Sequence, residues 1–409
     1  MSGKSLIVVG GGMIGAACAL RLQASGRNVT LIDPGPDTRA SSFGNAGHIA
    51  VEQVEPLATW AAVRRAPSLL FGVGGPLDFR LGDASAWLPW SARFLWACRS
   101  AQVDRGTQAL RQLTTPAVRA WRDLLALADS SDLMIEDGHA LLWFDEEAAR
   151  EARGLWQSVD TGAARLGELP ADRLETYRSL LPGRPPVAGL YVEGTARLVS
   201  PQRTRDALVA AFVRKGGSRL VAEVQGVSPH GEIKLADGAR LQADQILIAA
   251  GIRSASLMAQ LGHRVPLIAE RGYSIQFPVP AWSPGLGTAV LEDHSIVLAP
   301  HTEGLRATSF VEFARADSAP DPRKWARLIA RLRALGLDVP EDCQRWMGCR
   351  PTLPDYVPAI GTVPQTRVLY AFGHQHLGVT LAAITAECIE VAAGGAELPH
   401  ELDIRRFLA

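Results

Sequence analysis

The chain has 409 residues, 47% hydrophobic and 21% charged, with 42 Lys plus Arg against 42 Asp plus Glu. That balance removes any electrostatic case for nucleic acid or an acidic partner, and the length exceeds what one core serves, so two domains are expected. The five cysteines (Cys18, Cys98, Cys343, Cys349, Cys388) are odd in number and hold no CxxC pair, which argues against a disulfide scaffold or structural zinc and fits a reducing, cytoplasmic compartment.

The apolar run Leu6-Ile7-Val8-Val9 leads into Gly10, Gly12 and Gly15, spaced as GxGxxG, with Met13 and Ile14 opening a helix. Gly10 permits the tight turn, Gly12 lets the backbone approach a pyrophosphate, and Gly15 lets helix and strand pack closely. Free N–H groups at the helix start would face the phosphates. A second apolar run, Val29 to Ile32, ends at Asp33, which suits a ribose 2′-OH. The β-α-β reading over 1–33 thus predicts a bound ADP moiety; the alternative is a close-packed turn with no ligand. These glycines belong to a fold, so the apolar start is not read as a signal peptide.

Residues 40–50 form a small-residue loop containing SSFGNAGHI. From about 56 to 185 the pattern is mostly helical. Within it Trp87, Leu88, Trp90, Phe94, Leu95 and Cys98 fall near one helical face, either core or a surface resting on a membrane near quinone. Gly138–Phe144 predicts a strand, and Gly189–Val199 a strand, turn and strand. Ser200-Pro201 starts a helix to Lys215, stopped by Gly216-Gly217. A hairpin is expected over 218–228, then a strand at Glu232–Leu235 and a turn at Asp237-Gly238. Ala243–Ala250 predicts a buried strand ending at Gly251, 264–315 a β-rich alternation, and 322–335 a helix. A strand from Arg367 to Phe372, a glycine loop, and a helix from Val379 to about Ala393 close the pattern. The most apolar stretch, Leu377 to Ala393, carries Glu387 and Glu390, and no span of about 18 uninterrupted apolar residues predicts a transmembrane helix.

The glycine fingerprint alone does not separate flavin from nicotinamide. Regular β-α repeats usually follow a nicotinamide fingerprint; here a Gly- and Asn-containing loop and a long helical stretch follow. The chain also carries a second loop-to-helix turn, Gly373 to Thr380. A helix N-terminus there would stabilise the negative charge that hydride arrival places on a flavin N1–C2=O edge. An ordinary strand–helix turn explains the local pattern equally well.

Four segments, SFGNAGHIA, RGYSIQF, GCRPTLPDYVPAIG and FGHQHLGVTLA, resemble in this order the D-amino-acid dehydrogenase branch of the FAD-dependent D-amino-acid oxidase superfamily. The resemblance runs from Val8 to about Gly394, with 52–185 matching loosely. It implies an α/β (α+β) fold: a discontinuous Rossmann-like FAD-binding domain at 1–50, 196–260 and 341–409. A mainly antiparallel β-sheet substrate domain plus helices would be inserted at 51–195 and 261–340. It also implies hydride transfer from a D-amino acid to flavin N5, with electrons passed to a quinone or other carrier.

The resemblance assigns roles by position. Asn45, Ala46, Gly47, His48 and Ile49 would lie beside the isoalloxazine, and Ser41 and Ser42 would meet phosphate or ribityl oxygens. Val224 would offer backbone to adenine, while Ala249, Ala250 and Gly251 pass under the ADP half. Gly373, His374, Leu377, Gly378, Val379 and Thr380 would contact the flavin mainly through backbone. Arg350 would grip the substrate carboxylate with its planar fork, and Tyr273 would make a second carboxylate or amine contact, or else be a strand aromatic with its hydroxyl in solvent. His48 departs from the Gln of D-alanine-type relatives; it touches substrate or flavin, or is a satisfied loop histidine. His374 and His376 are too few for a metal site, so no metal is expected and hydrogen bonding at the flavin edge is the better reading. Sarcosine-oxidase-like relatives attach flavin through a cysteine whose place Gly348 takes here, with Cys349 one position off; noncovalent FAD follows. A cyclic substrate such as D-proline or D-hydroxyproline, in amino-acid catabolism, fits the departures from the D-alanine type. A glycine- or sarcosine-type oxidase using oxygen, a subunit of a heteromeric amine dehydrogenase and a non-catalytic flavin-binding assembly factor are the rivals. Peripheral contact with the inner membrane face would bring the enzyme to a quinone.

Overall fold

A computed structural model describes residues 4–35, 40–156, 158–279, 282 and 284–407. The N-terminal fingerprint folds as read: strand Ser5–Val9, helix Met13–Ala24, strand Asn28–Asp33. These strands enter a six-stranded sheet in the order Ser218–Val221, Asn28–Asp33, Ser5–Val9, Gln245–Ile248, Val368–Phe372, Ala359–Thr362. The first five are mutually parallel and the last is antiparallel. Successive side chains in a strand point to opposite faces, and here both faces are covered. Leu6, Val8, Leu31, Leu247 and Leu369 meet the helices Met13–Ala24, Pro201–Arg214 and Ala382–Ala393. Ile7, Val9, Ile32, Ile246 and Ile248 meet a small antiparallel sheet (Val224–Val227, Glu232–Leu235, Arg240–Gln242). Burial on both faces explains why these strands read as continuous apolar runs.

The second sheet runs Gln344–Thr352, Ile268–Phe277, Gly304–Ala314, Ile296–His301, Thr288–Leu291, His139–Trp143, Ala188–Glu193, Arg165–Glu168, with Leu77–Phe79 paired beside Gly304–Ala314. Ile268–Phe277 is buried along its whole length. Its Tyr273, Ile275 and Phe277 pack with Leu328, Ile329 and Leu332 of helix Pro322–Ala334. Its polar residues Glu270 and Gln276 lie opposite Arg350 and Arg306 on the neighbouring strands. Two-sided burial replaces the simple alternation expected over 264–315.

Three boundaries differ from the sequence reading. Residues 218–228 are not a hairpin: Ser218–Val221 joins the parallel sheet and Val224–Val227 the small antiparallel one. The last helix begins at Ala382 rather than Val379, because Gln375–Gly378 first forms a 3-10 turn. Strand Gln344–Thr352, placed in the cofactor half by a boundary at 341, is bonded into the larger sheet. The face of Trp87–Cys98 divides: Trp90 and Cys98 are buried with Ala58, Phe313 and Tyr356, whereas Leu88 and Leu95 are exposed beside Trp96. Among the described residues no helix is long and apolar enough to cross a membrane.

Candidate active site

The glycine turn is shaped for a ligand. Gly10 sits at φ +105° and closes on Ala249 and Ala250, which brings the Ala249–Gly251 segment beneath the turn. A Cβ on Gly15 would run into the Gly10 carbonyl oxygen, so this glycine serves packing. A Cβ on Gly12 would meet nothing within 4 Å, and Gly12 caps its helix without a side-chain hydrogen bond. That leaves helix N–H groups open to an anion. Asp33 accepts from Gly11 N–H at 2.6 Å and Gly35 N–H at 3.0 Å. Arg205 Nε donates to the Gly11 carbonyl at 2.7 Å, an anchor the sequence reading missed. The shape fits the ADP half of FAD. Val224 sits nearby at the start of the small sheet, half-buried.

The Ser41–Ile49 loop is pinned from four sides. Ser41 Oγ donates to the Cys349 carbonyl, which ties the loop to the Arg350 strand and engages the hydroxyl expected at phosphate. Ser42 is half-buried. Asn45 Oδ1 accepts from Gly47 N–H at 2.8 Å, and Gly47 takes φ +75°. Thr380 Oγ1 accepts from Ala50 N–H at 3.0 Å, joining this loop to the Gly373–Thr380 turn. Trp121 Nε1 donates to the Val379 carbonyl at 2.9 Å. Ile49 pairs with Ala196 in a short three-stranded sheet. From the larger sheet, His301 Nε2 bonds the Ala46 carbonyl at 2.9 Å, and Arg306 donates to the Phe43 and Asn45 carbonyls at 2.9 and 3.0 Å. Arg306 also donates to Gln276. Burial lowers Arg306 to about 10 and His301 to about 3. Neither was singled out in the sequence; a lone basic residue near a strand end carries no local signature.

Arg350 lies on the sheet face that carries these residues. Its Nη1 donates to Glu270 Oε1 at 3.1 Å and to the Phe310 carbonyl at 3.4 Å. Glu270 is buried and fully engaged, accepting also from Thr352 Oγ1 and Tyr356 Oη, each at 3.1 Å. The guanidinium lies across Gly272, where any Cβ would collide with it; this explains the glycine of RGYS. Its side chain keeps 21% exposure. Among the described residues six non-glycines take positive φ, and three of them (Phe310, Tyr356, Gln375) belong to this neighbourhood. Backbone strain of this kind persists where surrounding contacts enforce it, often at functional sites.

Tyr273 does not join Arg350. Its hydroxyl donates to Glu312 Oε2 at 2.7 Å and accepts from Arg271 Nη2 and Asp321 N–H, both at 3.0 Å. It is part of a buried ionic knot with Arg271, Glu312 and Lys324, so the second substrate contact expected of it is corrected to a structural one, and the hydroxyl is not in solvent either. His374 Nε2 bonds Thr385 Oγ1 at 3.0 Å, which turns that nitrogen towards the last helix. His376 Nε2 bonds Gln53 Oε1 at 2.6 Å. Burial lowers His374 to about 3 and His376 to about 4. Gly373 takes φ +78° against Leu353, and Leu377 and Gly378 complete the turn. His48 is half-buried beside Glu52 and His139.

A family model described as FAD dependent oxidoreductase, DAO, matches residues 5–390. The chain belongs to this FAD-dependent oxidoreductase family. The enzyme is 30% identical to a D-amino-acid oxidase of Bradyrhizobium diazoefficiens, over 96% of each chain. It is 27% identical to a D-amino acid dehydrogenase of Paramagnetospirillum magneticum, over 92% of each. The glycine oxidase structure from Geobacillus kaustophilus superposes with a TM-score of 0.68 at 18% identity, covering 98% of this chain and 99% of that one. The family's cofactor is FAD, and the open helix start at Gly12 beside Asp33 has the space and the donors to suit its ADP half.

Proposed function

We propose that this FAD-dependent enzyme oxidises a D-amino acid to its imine, and that Arg350 grips the substrate carboxylate. The carrying observation is the Arg350 guanidinium, fixed at one nitrogen by Glu270 and left partly open on a strand tied to the Ser41–Ile49 loop. A fork held in this way can take both carboxylate oxygens and set the α-carbon. Glu270, itself held by Thr352 and Tyr356, fixes that fork, while Arg306 and His301 hold the Ser41–Ile49 loop. Bound FAD supplies the hydride acceptor. Among the side chains that reach Arg350, neutral or engaged groups predominate, so no base for the carbon is assigned. The imine hydrolyses to a 2-oxo acid, or remains cyclic when the substrate resembles D-proline or D-hydroxyproline. The D configuration is supported by the names of the relatives.

Noncovalent attachment is supported by Gly348, where a Cβ would collide with the Trp346 ring, and by Cys349, whose thiol faces the Ala316 carbonyl at 3.7 Å. A quinone or other membrane-borne carrier suits the surface between residues 57 and 99. Leu57, Trp60, Leu70, Val73, Leu81, Leu88, Leu95 and Trp96 are exposed there. The exposed charges of that stretch are Arg64, Arg65, Arg93 and Arg99, all basic.

Anaerobic mixing of the yellow protein with paired D- and L-amino acids, proline and hydroxyproline included, tests the reading. Bleaching of the visible flavin band by D-forms alone is expected, followed by faster reoxidation with a quinone analogue than with oxygen. Bleaching by glycine or sarcosine alone, with rapid oxygen uptake, would favour an amine oxidase. Bleaching by none would favour a missing subunit or a non-catalytic flavoprotein.

A further inference from the structure

His48, Glu52 and His139 form a buried cluster that the carboxylate clamp leaves unexplained. Both ring nitrogens of His48 are buried without a hydrogen-bond partner, as is Glu52 Oε2. His48 Nε2 and His139 Nε2 lie 3.7 and 4.0 Å from Glu52 Oε1, too far for hydrogen bonds. The two rings meet edge to face at 4.4 Å. Glu52 has a side-chain exposure of only 4%. His139 Nδ1 is 3.0 Å from Thr195 Oγ1, whose hydroxyl faces the Val192 carbonyl at 3.4 Å. That arrangement makes Nδ1–H the donor and leaves the Nε2 lone pair facing the Glu52 carboxylate. Burial lowers His139 to about 3, so it stays neutral. Burial pushes the Glu52 carboxyl up, while a charged His48 beside it pulls it below the usual range. A buried carboxylate and unpaired imidazole nitrogens together call for a positively charged hydrogen-bond donor.

The cluster lies at the clamp's side of the molecule. Gln53, the next residue, bonds His376, and the His376 ring lies 6.5 Å from the Tyr356 ring, whose hydroxyl donates to the Glu270 that holds Arg350. That chain of contacts carries the positive charge of Arg350 at one end and leads at the other to Gln53, next to the carboxylate of Glu52, a polarity that matches an amino acid's carboxylate and ammonium. The other charged neighbour, Asp137, is bound through Oδ2 to Arg197 Nε at 2.9 Å.

We propose that His48 accepts the ammonium proton of the bound amino acid, with Glu52 as the buried counter-ion that steadies the resulting imidazolium; this rests on the amino-acid-oxidising reading above. An N–H bond of the ammonium breaks, its electron pair stays on nitrogen, and the proton moves to a His48 ring nitrogen. The freed pair forms the C=N bond as the α-hydrogen leaves with its two electrons as hydride. The proton then returns to solvent from His48. His139, locked by Thr195, positions the pair without titrating.

The test follows flavin reduction by a primary D-amino acid from about pH 6 to pH 10 in the wild type, His48→Gln and Glu52→Gln. At about pH 7, His48→Gln should lose on the order of 10² to 10⁴-fold in reduction efficiency. The gap should close towards pH 10, where substrate arrives as free amine. Glu52→Gln should move the wild-type pH limb to lower pH, since the imidazolium loses its carboxylate. Should His48→Gln fail to retain flavin, the Glu52→Gln limb decides alone. A deficit constant across pH, or an unmoved limb, would overturn the assignment. So would one equivalent of divalent metal per chain by elemental analysis, because two histidines and a glutamate also suit such an ion. If no amino acid reduces the wild-type flavin, the proposed function itself fails and takes this assignment with it.

Discussion

The Tyr273 hydroxyl has three buried partners, and that set decides what its loss should do. Tyr273→Phe leaves Glu312 and Arg271 short of a partner. Denaturant unfolding should show a loss of about 1–3 kcal/mol, while substrate affinity in flavin titrations stays within about twofold. Unchanged stability with a large loss of affinity would restore the carboxylate contact suggested by RGYS. Arg350 was legible in GCRP because the motif is local. Glu270 was not, since the pair is 80 residues apart in sequence and meets only through the register of two strands. The same holds for His301 and Arg306, which reach the Ser41–Ile49 loop from a distant sheet. His48 was singled out as a departure from its relatives, yet its partners Glu52 and His139 lie on elements whose meeting no short motif announces.

At the scale of elements, the first turn separates a glycine kept for packing from one kept for ligand. Gly15→Ala should destabilise the fold, because the new methyl meets the Gly10 carbonyl. Gly12→Ala should fold with an unchanged unfolding midpoint in the flavin-free state but bind FAD much more weakly, since only ligand space is filled. Thermal melts with and without FAD check both; the reverse pattern would contradict the cradle. The β-α-β unit was readable because strand, glycines and acid lie within 33 residues. The supposed 218–228 hairpin was misread because two short strands in succession resemble a hairpin whether or not they pair. In fact Val221 and Val224 lie on different sheets, a choice made by tertiary packing. The late start of the last helix has the same origin: the 375–378 turn is shaped by Tyr356, whose carbonyl accepts from Gln375 Nε2 at 2.8 Å.

For the whole molecule, buried neutral histidines set a limit on acid stability. His139, His301 and His374 are each lowered to about 3 by burial, against about 6.5 in an unfolded chain. Their contribution is fully present above the unfolded value. Between pH 6.5 and 3 the unfolded chain binds protons that the native one refuses, so stability falls by about 1.4 kcal/mol per pH unit for each group. The unfolding midpoint of the flavin-bound enzyme should therefore drop from pH 7 to pH 5. A flat profile would mean these rings are accessible. The apolar, basic surface between residues 57 and 99 predicts cosedimentation with anionic vesicles at low salt, reduced by Leu88→Ser with Leu95→Ser; no binding at low salt would remove the membrane carrier from the account.

The central claim is the carboxylate grip, and Arg350→Lys tests it most directly. Lysine keeps a positive charge beside Glu270 but lacks the planar fork. Anaerobic titration of the flavin-loaded variant with the reactive D-amino acid should show full flavin content and affinity weakened about 10- to 100-fold. Unchanged affinity and reduction rate would contradict the clamp and, with it, the placement of the substrate on this face of the sheet.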